Sequence, residues 1–169
     1  SNLFKDLFDY EPKIYSEKSK VNKLFYRFVI KSKPLHRFIM VVCEMPIGNK
    51  SGKLKVPEII KNAPLELQKW FISGFFDADG CVPIINKRPV IQITQYDFSI
   101  LEDIKKISSS LGLRWVGPYC YKYKYNNCNI RINRRKDIQK FLKTIPSLNQ
   151  DKLRQRELAW QILNRVENL

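Results

Sequence analysis

Ile72-Ser-Gly-Phe-Phe-Asp-Ala-Asp-Gly80 places two carboxylates at the end of an apolar segment near the middle of the chain. The segment is expected to be helical, because Pro64 suits the first turn of a helix and Gly80 suits its end. The whole chain has 31 Lys and Arg residues against 16 Asp and Glu residues, a formal net charge of +15. Carboxylates at the centre of so basic a chain indicate a bound cation between the protein and an anionic ligand.

The composition is typical of a globular protein that binds a polyanion. With 44% hydrophobic content, the 169 residues supply one core or two small ones. The basic excess favours a nucleic acid or an anionic membrane surface as partner, and a scattered, solvated basic surface is the simpler alternative. Nucleic acid is preferred because the charges alternate with aromatic residues and no basic amphipathic helix stands out.

The cysteines and the hydropathy pattern bear on location. Cys43, Cys81, Cys120 and Cys128 form no Cys-x-x-Cys or Cys/His cluster of the kind that binds zinc. We therefore expect four free thiols in a reducing, intracellular compartment. No run approaches the ~20 apolar residues of a membrane-spanning helix, and the N-terminus lacks the apolar region of a signal peptide. No membrane partner is expected.

Hydrophobic periodicity and turn residues predict helices and hairpins in alternation. A helix over 3–10, a hairpin with arms at 13–16 and 24–30, and a helix from Pro34 come first. A linker rich in Gly, Asn, Ser and Lys follows. The remaining elements are a helix over 64–78, a hairpin with arms at 81–85 and 90–94, a helix over 98–111, a hairpin with arms at 115–125 and 129–133, and a helix over 137–144. These elements divide the chain into segments 1–45, 46–63 (the linker) and 64–169.

The first segment repeats the latter half of the third. Apolar residues between Phe28 and Ile39 align with those between Ile130 and Leu142 once one residue is inserted. Lys33 and Lys136 then take matching places just before a helix. Two units that merely share this patterning are the alternative.

The two aspartates of the acidic segment are expected to have different roles. They are two residues apart, so on a helix they point to different sides and cannot serve one pocket. We assign Asp77 to polar interactions at the helix end and Asp79 to the exposed tip. A carboxylate at a helix C-terminus attracts a cation, which favours a hard divalent ion with oxygen ligands. Ser73 and Gly74 would let a second such helix approach closely, so that two tips share metal ions. An ordinary helix capped by Asp-Gly is the simpler alternative.

Three segments resemble one known family. Residues 72–80, preceded by Trp70 and Phe71, are similar to the signature of the LAGLIDADG homing endonucleases. Residues 91–95, Ile-Gln-Ile-Thr-Gln, resemble the second strand after that signature, and residues 33–38, Lys-Pro-Leu-His-Arg-Phe, resemble the entry to the helix after the fourth strand. The resemblance covers nearly the whole chain. It implies an α+β fold of αββαββα repeats, with a saddle-shaped antiparallel sheet, helices on its convex face, and an incomplete first repeat.

The resemblance also implies a metal-dependent cleavage site. Asp79 and Gly80 match metal-binding positions, with Mg²⁺ as the expected cofactor and Mn²⁺ or Ca²⁺ as substitutes. Gln95 matches a polar residue near the catalytic waters. Lys33 and Lys136 match the lysine that borders the scissile phosphates, and Arg134 or Arg135 replaces Lys136 if the alignment shifts.

The implied partner is double-stranded DNA, bound along the concave face of the sheet. Strand alternation places polar side chains on that face and isoleucines toward the helices. An edge strand protected by lysines is the alternative for Lys122 and Lys124. The expected DNA-binding residues are Lys18, Lys20, Lys23, Arg27, Asn86, Lys87, Arg88, Gln92, Thr94, Lys122, Lys124, Asn129, Arg131, Asn133, Arg134 and Arg135.

The sequence departs from the family pattern in having one signature. The first repeat lacks its signature helix and first hairpin, so one metal carboxylate is supplied where double-strand cleavage in the family needs two. A second signature helix could come from a longer chain or from another copy in a homodimer, or cleavage could be lost. The expected function is site-specific, metal-dependent DNA cleavage of the intron- or intein-associated type. An intron RNA maturase and a DNA-binding protein without cleavage are the alternatives.

Overall fold

Two compact units make up the chain, one before and one after the Val41–Val42 bond. The computed structural model describes residues 2–19, 22, 24–50, 52–121 and 127–165. Four predicted DNA-binding residues, Lys20, Lys23, Lys122 and Lys124, lie outside these ranges. None of the described helices is long and apolar enough to cross a membrane.

The first unit is one hairpin between two helices. Its elements are α1 (Asn2–Phe8), β1 (Lys13–Lys18), β2 (Leu24–Val29) and α2 (Lys33–Val41). β1 and β2 pair antiparallel, with Lys13 opposite Val29. Phe4 packs edge-on against Phe28, with ring centroids 5.3 Å apart, yet Phe28 remains 45% exposed. This unit therefore has aromatic contacts and little buried interior.

The second unit holds the main core. It comprises α3 (Glu58–Lys61), α4 (Leu65–Asp79), β3 (Gly80–Cys81), β4 (Ile84–Ile85), β5 (Arg88–Pro89), β6 (Ile91–Gln95), α5 (Phe98–Ser110), β7 (Val116–Tyr121), β8 (Asn127–Ile132), α6 (Arg135–Thr144) and α7 (Gln150–Arg165). Four strands form an antiparallel sheet in the order β3-β6-β8-β7. Alternate residues of the two central strands face a core that includes Ile72, Phe76, Ile91, Ile93, Leu101, Ile104, Ile130, Ile132 and Phe141.

The stretch predicted to be a linker packs against the second unit. Val56 is fully buried in the core, and its amide donates to Asp103 Oδ2 at 3.1 Å. The Leu54 amide donates to Asp97 Oδ2 at 3.3 Å, and Ser99 Oγ donates to the Leu54 carbonyl. These bonds hold residues 54–56 along α5. The division into repeats stays a prediction.

Two structural expectations are wrong in detail. The predicted first hairpin of the second unit is two short pairs, β3 with β6 and β4 with β5. Pro83 has no amide hydrogen to continue the ladder, and its carbonyl accepts from the Val90 amide at 2.9 Å. Cys120 and Cys128 form a disulfide, whereas Cys43 and Cys81 are free. The pairing arises because these two residues lie directly opposite in β7 and β8.

Candidate active site and nucleic-acid interface

α4 ends at the acidic tip because of tight packing around Gly80. Gly80 is buried in extended conformation, and its amide donates to the Phe76 carbonyl. A Cβ on Gly80 would lie 2.2 Å from Phe76 Cδ2 and 2.6 Å from the Phe76 carbonyl oxygen. Only glycine lets the chain turn here from helix into β3 against a buried phenylalanine. The turn leaves Asp79 exposed at the helix end.

The sheet brings a polar partner to this tip. Gly80 lies opposite Ile93 in the β3–β6 pair, which places the end of β6 beside the end of α4. Gln95, the last residue of β6, donates from Nε2 to Asp79 Oδ2 at 2.6 Å. Two predicted site residues that are 16 positions apart are thus in contact. The amide orients the carboxylate and leaves its other oxygen uncommitted among the described residues.

Asp77 faces a different part of the protein, as the two-residue spacing predicts. Its Oδ2 accepts from the amides of Leu148 and Asn149 at 2.7 and 3.1 Å. Its Oδ1 accepts from Ser147 Oγ at 2.5 Å. Asn149 in turn caps α7, with its Oδ1 accepting from the Asp151 amide at 3.0 Å. Asp77 therefore fixes the start of α7 against the end of α4.

α7 supplies a lysine to the acidic tip that the sequence analysis misses. Lys152 Nζ donates to the Gly80 carbonyl, the oxygen predicted as a metal ligand. Gln155, one turn later, accepts from the Val82 amide at 3.0 Å. The sequence pattern predicts no helix beyond residue 144, because the apolar residues of α7 are interspersed with charges. The available signal was Asn149 followed by Asp151, a typical helix start.

The two predicted lysines occupy similar places in separate elements. Lys33 is the first residue of α2 in the first unit, and Lys136 is the second residue of α6 in the second. Both are exposed. Within the described ranges, Lys136 makes no hydrogen bond or ion pair with Asp79 or Gln95. Among the described lysines of the second unit, Lys152 is the one with a hydrogen bond to the signature.

The face of the sheet opposite the core carries the expected polar side chains. Cys81, Gln92, Arg131 and Val116 are Cα partners in one row across β3, β6, β8 and β7, so they share this face. Gln92 Nε2 donates to Thr94 Oγ1 at 3.1 Å. Burial raises the pKa of the Cys81 thiol, against the lowering effects of Lys152 and Arg131. Cys81, which follows the acidic tip, therefore lies close to two cations.

Asn129 is an exception to the expected exposure. It is only 4% exposed, and its Oδ1 has no hydrogen-bond partner among the described residues. Its Cα partners are Thr94 on β6 and Tyr119 on β7, so neighbours flank it on both sides. A central strand buries side chains that an isolated alternating strand would expose.

The remaining predicted contact residues lie at hairpins and at the start of α6. Arg27 in β2 pairs with Glu17 at 2.5 Å across the first hairpin, where Arg27 is exposed and Glu17 is half-buried. Lys18 is exposed at the end of β1. Asn86 and Lys87 form the tight turn between β4 and β5 with positive φ of 49° and 63°. Exposed or half-buried positions near that turn and at the β8–α6 corner hold Arg88, Asn133, Arg134 and Arg135.

Comparison with known proteins gives the chain its family. Residues 66–146 match the model of the LAGLIDADG-like domain. The homing endonuclease I-ApeI of Aeropyrum pernix is 29% identical over 96 residues, 56% of this chain and 43% of that protein. A ribonucleoside-diphosphate reductase alpha subunit of Bacillus subtilis is 36% identical over 67 residues, 38% of this chain and 6% of that protein. A probable translation initiation factor IF-2 of Thermococcus kodakarensis is 31% identical over 111 residues, 66% of this chain and 9% of that protein.

The fold agrees with a solved structure of mesophilic variants of the homing endonuclease I-DmoI. The TM-score is 0.60 at 21% identity, over 85% of this chain and 68% of that one. Helices against antiparallel strands, with an acidic helix tip at the sheet, define an α+β protein of LAGLIDADG architecture. The chain therefore carries, at residues 66–146, a domain of the LAGLIDADG homing endonuclease family. It spans less than half the length of the curated relatives named above.

Proposed function

We propose that this chain carries one half of the cleavage site of a site-specific homing endonuclease that hydrolyses double-stranded DNA with a divalent metal ion. The contact between Asp79 and Gln95 carries the proposal, because it places an exposed, oriented carboxylate at the end of the family signature. Lys152 adds a cation at the adjacent carbonyl. We assign to Lys152 the role beside the scissile phosphate that the sequence analysis gives to Lys136.

The donor set fits a hard divalent ion in part. Asp79 offers a carboxylate oxygen, the type of ligand that Mg²⁺ prefers. The described residues contain no group of three or more His, Cys, Asp or Glu side chains that could hold a metal. Asp79 would therefore share the ion with phosphate oxygens, water and a second acid. The Gly80 carbonyl already has the ammonium of Lys152 as its partner, which makes it the weaker ligand candidate.

Each component of the site would have a distinct chemical role. A bound Mg²⁺ ion would lower the pKa of an attacking water and stabilise the leaving oxygen of the phosphodiester. Gln95, at the end of β6, holds the Asp79 carboxylate in one orientation through Oδ2. This orientation leaves Asp79 Oδ1 as the oxygen that would bind the ion. Lys152 would offset the negative charge that develops on the phosphate.

The exposed side of α4 supports a second signature helix as partner. Leu67, Trp70 and Gly74 follow one another at helical spacing and are exposed, and a Cβ on Gly74 would meet no atom within 4 Å. Ser73, by contrast, is buried in the core. A helix packed at Gly74 could bring a second carboxylate beside Asp79. That helix would belong to a longer chain or to another copy.

The relatives support an origin inside an intron or intein. Matches occupy 6% of a reductase subunit and 9% of a translation factor. One segment recurring within long proteins of unrelated activity is what an inserted, mobile sequence would produce. The basic charge and the polar sheet face support duplex DNA as the substrate.

Substitution of Asp79 by Asn tests the proposal. The assay measures metal-dependent cleavage of duplexes selected for binding from a random library. We expect cleavage to fall by about 10²-fold or more, because the metal loses a charged ligand, while duplex affinity is unchanged. Glu66→Gln is the matched control, an exposed carboxylate in the first turn of the same helix that pairs with Lys69. Full cleavage by Asp79→Asn would exclude the proposed site.

A further inference from the structure

The carbonyl of Gly80 has one side-chain partner among the described residues, and that partner is a cation. Lys152 Nζ, from the first turn of α7, donates to the Gly80 oxygen. Gly80 is buried and Lys152 is half-buried, so the contact is partly withdrawn from water. A buried carbonyl is costly to leave without a partner. A metal ion that binds this oxygen must therefore replace the ammonium or share the oxygen with it.

The start of α7 holds Lys152 at this place. Asp77 Oδ2, near the end of α4, accepts from the Asn149 amide at 3.1 Å. Asn149 Nδ2 donates back to the Asp77 carbonyl at 3.3 Å. Asn149 Oδ1 accepts from the Lys152 amide, also at 3.3 Å. The backbone of Lys152 is therefore tied to the same helix end that its side chain reaches.

The two helix ends favour a cation at Gly80. Lys152 is the third residue of α7, where the helix dipole disfavours positive charge on the side chain. Gly80 directly follows the last residue of α4, where the dipole attracts positive charge. Within the described ranges Lys152 forms no ion pair with a carboxylate, so the Gly80 carbonyl is the acceptor that offsets its unfavourable position.

The same contact balances the charge of the acidic tip. Asp79 contributes one negative charge, and Gln95 fixes its position through Oδ2. Lys152 contributes one positive charge at the next residue of the chain, Gly80. A divalent ion that approaches this tip would meet a ligand oxygen already bound to a charge of its own sign, and the repulsion weakens its binding.

We propose that Lys152 occupies the Gly80 carbonyl in place of the metal ion in the DNA-free protein, and releases it when the scissile phosphate binds the ammonium. The inference rests on the proposed function and makes metal binding depend on DNA through one side chain. Phosphate oxygens are stronger partners for an ammonium than a neutral carbonyl is. Because coupling between two ligands is reciprocal, duplex and metal ion should strengthen each other's binding by the same factor.

Metal binding to the DNA-free protein tests the competition without any cleavage step. Electron paramagnetic resonance of unbound Mn²⁺ measures the dissociation constant in a titration. Lys152→Met removes the competing charge and should bind Mn²⁺ about tenfold more tightly than the wild-type protein. Arg154→Met is the matched control, because it removes one positive charge from an exposed position on the same helix. It should change the dissociation constant by less than about twofold, since solvent screens that charge.

A second substitution keeps the test decisive if Lys152→Met does not fold. Lys152→Gln retains a neutral donor for the Gly80 carbonyl and removes the charge, so it should also bind Mn²⁺ more tightly. Tryptophan fluorescence checks that each variant is folded. Asp79→Asn, combined with either substitution, should abolish the gain in Mn²⁺ affinity. The proposal is overturned if no folded Lys152 variant binds Mn²⁺ more tightly, or if the gain survives Asp79→Asn.

The release of Lys152 to the phosphate is tested by the effect of Ca²⁺ on duplex binding. Fluorescence anisotropy measures the affinity for a duplex selected from a random library, with and without saturating Ca²⁺. Ca²⁺ should strengthen duplex binding by the wild-type protein. In Lys152→Met this gain should be smaller by about threefold or more, because the side chain that couples the two ligands is absent. An equal gain in the variant overturns the exchange.

The outcomes separate this inference from the nuclease proposal. If Lys152→Met binds Mn²⁺ more tightly and loses the coupling, but the wild-type protein cleaves no selected duplex, the exchange stands and the nuclease proposal fails. If the wild-type protein cleaves and Asp79→Asn does not, but Lys152→Met binds Mn²⁺ no more tightly, the exchange fails alone.

Discussion

The two units contain the same order of helices and strands, but they differ in how many side chains these elements bury. In the first, a hairpin lies between α1 and α2; in the second, a hairpin lies between α5 and α6. Phe28 of β2 is 45% exposed, whereas Ile130 and Ile132 of β8 are fully buried. The second unit adds α4 and β6, which cover and pair β8. Local sequence patterning therefore accounts for the helices and strands of both units. The buried core of the second unit depends on α4 and β6.

What the units have in common is charge. Both have a basic cavity where the second strand of the hairpin leads into a helix. A charged surface needs no buried partner, so it appears in both units regardless of the core. A unit of this fold can therefore carry a basic surface without having a large buried core.

Loss of a core side chain should have the largest effect on stability. Phe76 is fully buried and packs edge-on against Phe141, with ring centroids 5.1 Å apart. Phe76→Ala should lower the free energy of unfolding by about 3–5 kcal/mol. Urea unfolding followed by tryptophan fluorescence measures it in the second unit, which holds all three tryptophans. Phe28→Ala is the comparison in the first unit. It should shift this transition by less than about 0.5 kcal/mol, and an equal loss would break the contrast between the units.

The glycines of α4 should respond in opposite directions. Gly80→Ala places a methyl group against the Phe76 backbone and should cost about 1–3 kcal/mol. Gly74→Ala meets open space within a helix and should stabilise by about 0.5–1 kcal/mol. The same urea measurement compares them. A destabilising Gly74→Ala would show that α4 is not free at Gly74 in solution.

Removal of the Asp77 carboxylate should have a smaller effect on stability than loss of the Phe76 side chain. Asp77→Ala takes the acceptor from the Leu148 and Asn149 amides, which are exposed and can bind water instead. We expect a loss of about 1–2 kcal/mol in the tryptophan transition. Asp151→Ala, which removes an exposed ion pair with Arg154 at the same end of α7, should cost less than about 0.5 kcal/mol. Equal effects would mean that Asp77 does not anchor α7.

Most helices and strands, and the acidic end of α4, follow from sequence signals that act over a few neighbouring residues. Proline, glycine and hydrophobic spacing locate α4, α5 and α6 within a few residues, because these signals act within one or two turns. Asp79 and Gln95, which the family resemblance assigns separately to the metal and to the catalytic waters, are in contact. α7 escapes prediction because its buried residues include Arg156, whose Nη2 donates to the Leu142 and Ile145 carbonyls. A buried arginine looks like a surface residue in a hydrophobicity pattern.

Cross-strand neighbours could not be read from the chain. The Cys120–Cys128 disulfide depends on the register of β7 and β8, and the burial of Asn129 depends on strands on both sides. Lys152 reaches Gly80 through the docking of α7, whose start Asp77 holds. Each of these contacts depends on how separate strands and helices pack together, which a local sequence pattern does not specify.

The sequence alone determined the helix, its acidic tip and the different directions in which its two aspartates point, since proline, glycine and a two-residue spacing fix these within a single helix. Tertiary structure decided which groups surround that tip. Gln95 arrives through strand pairing and Lys152 through the docking of α7. Hydrogen-bonded registers and helix contacts are long-range, so a local pattern can propose a carboxylate site but cannot name all of its neighbours.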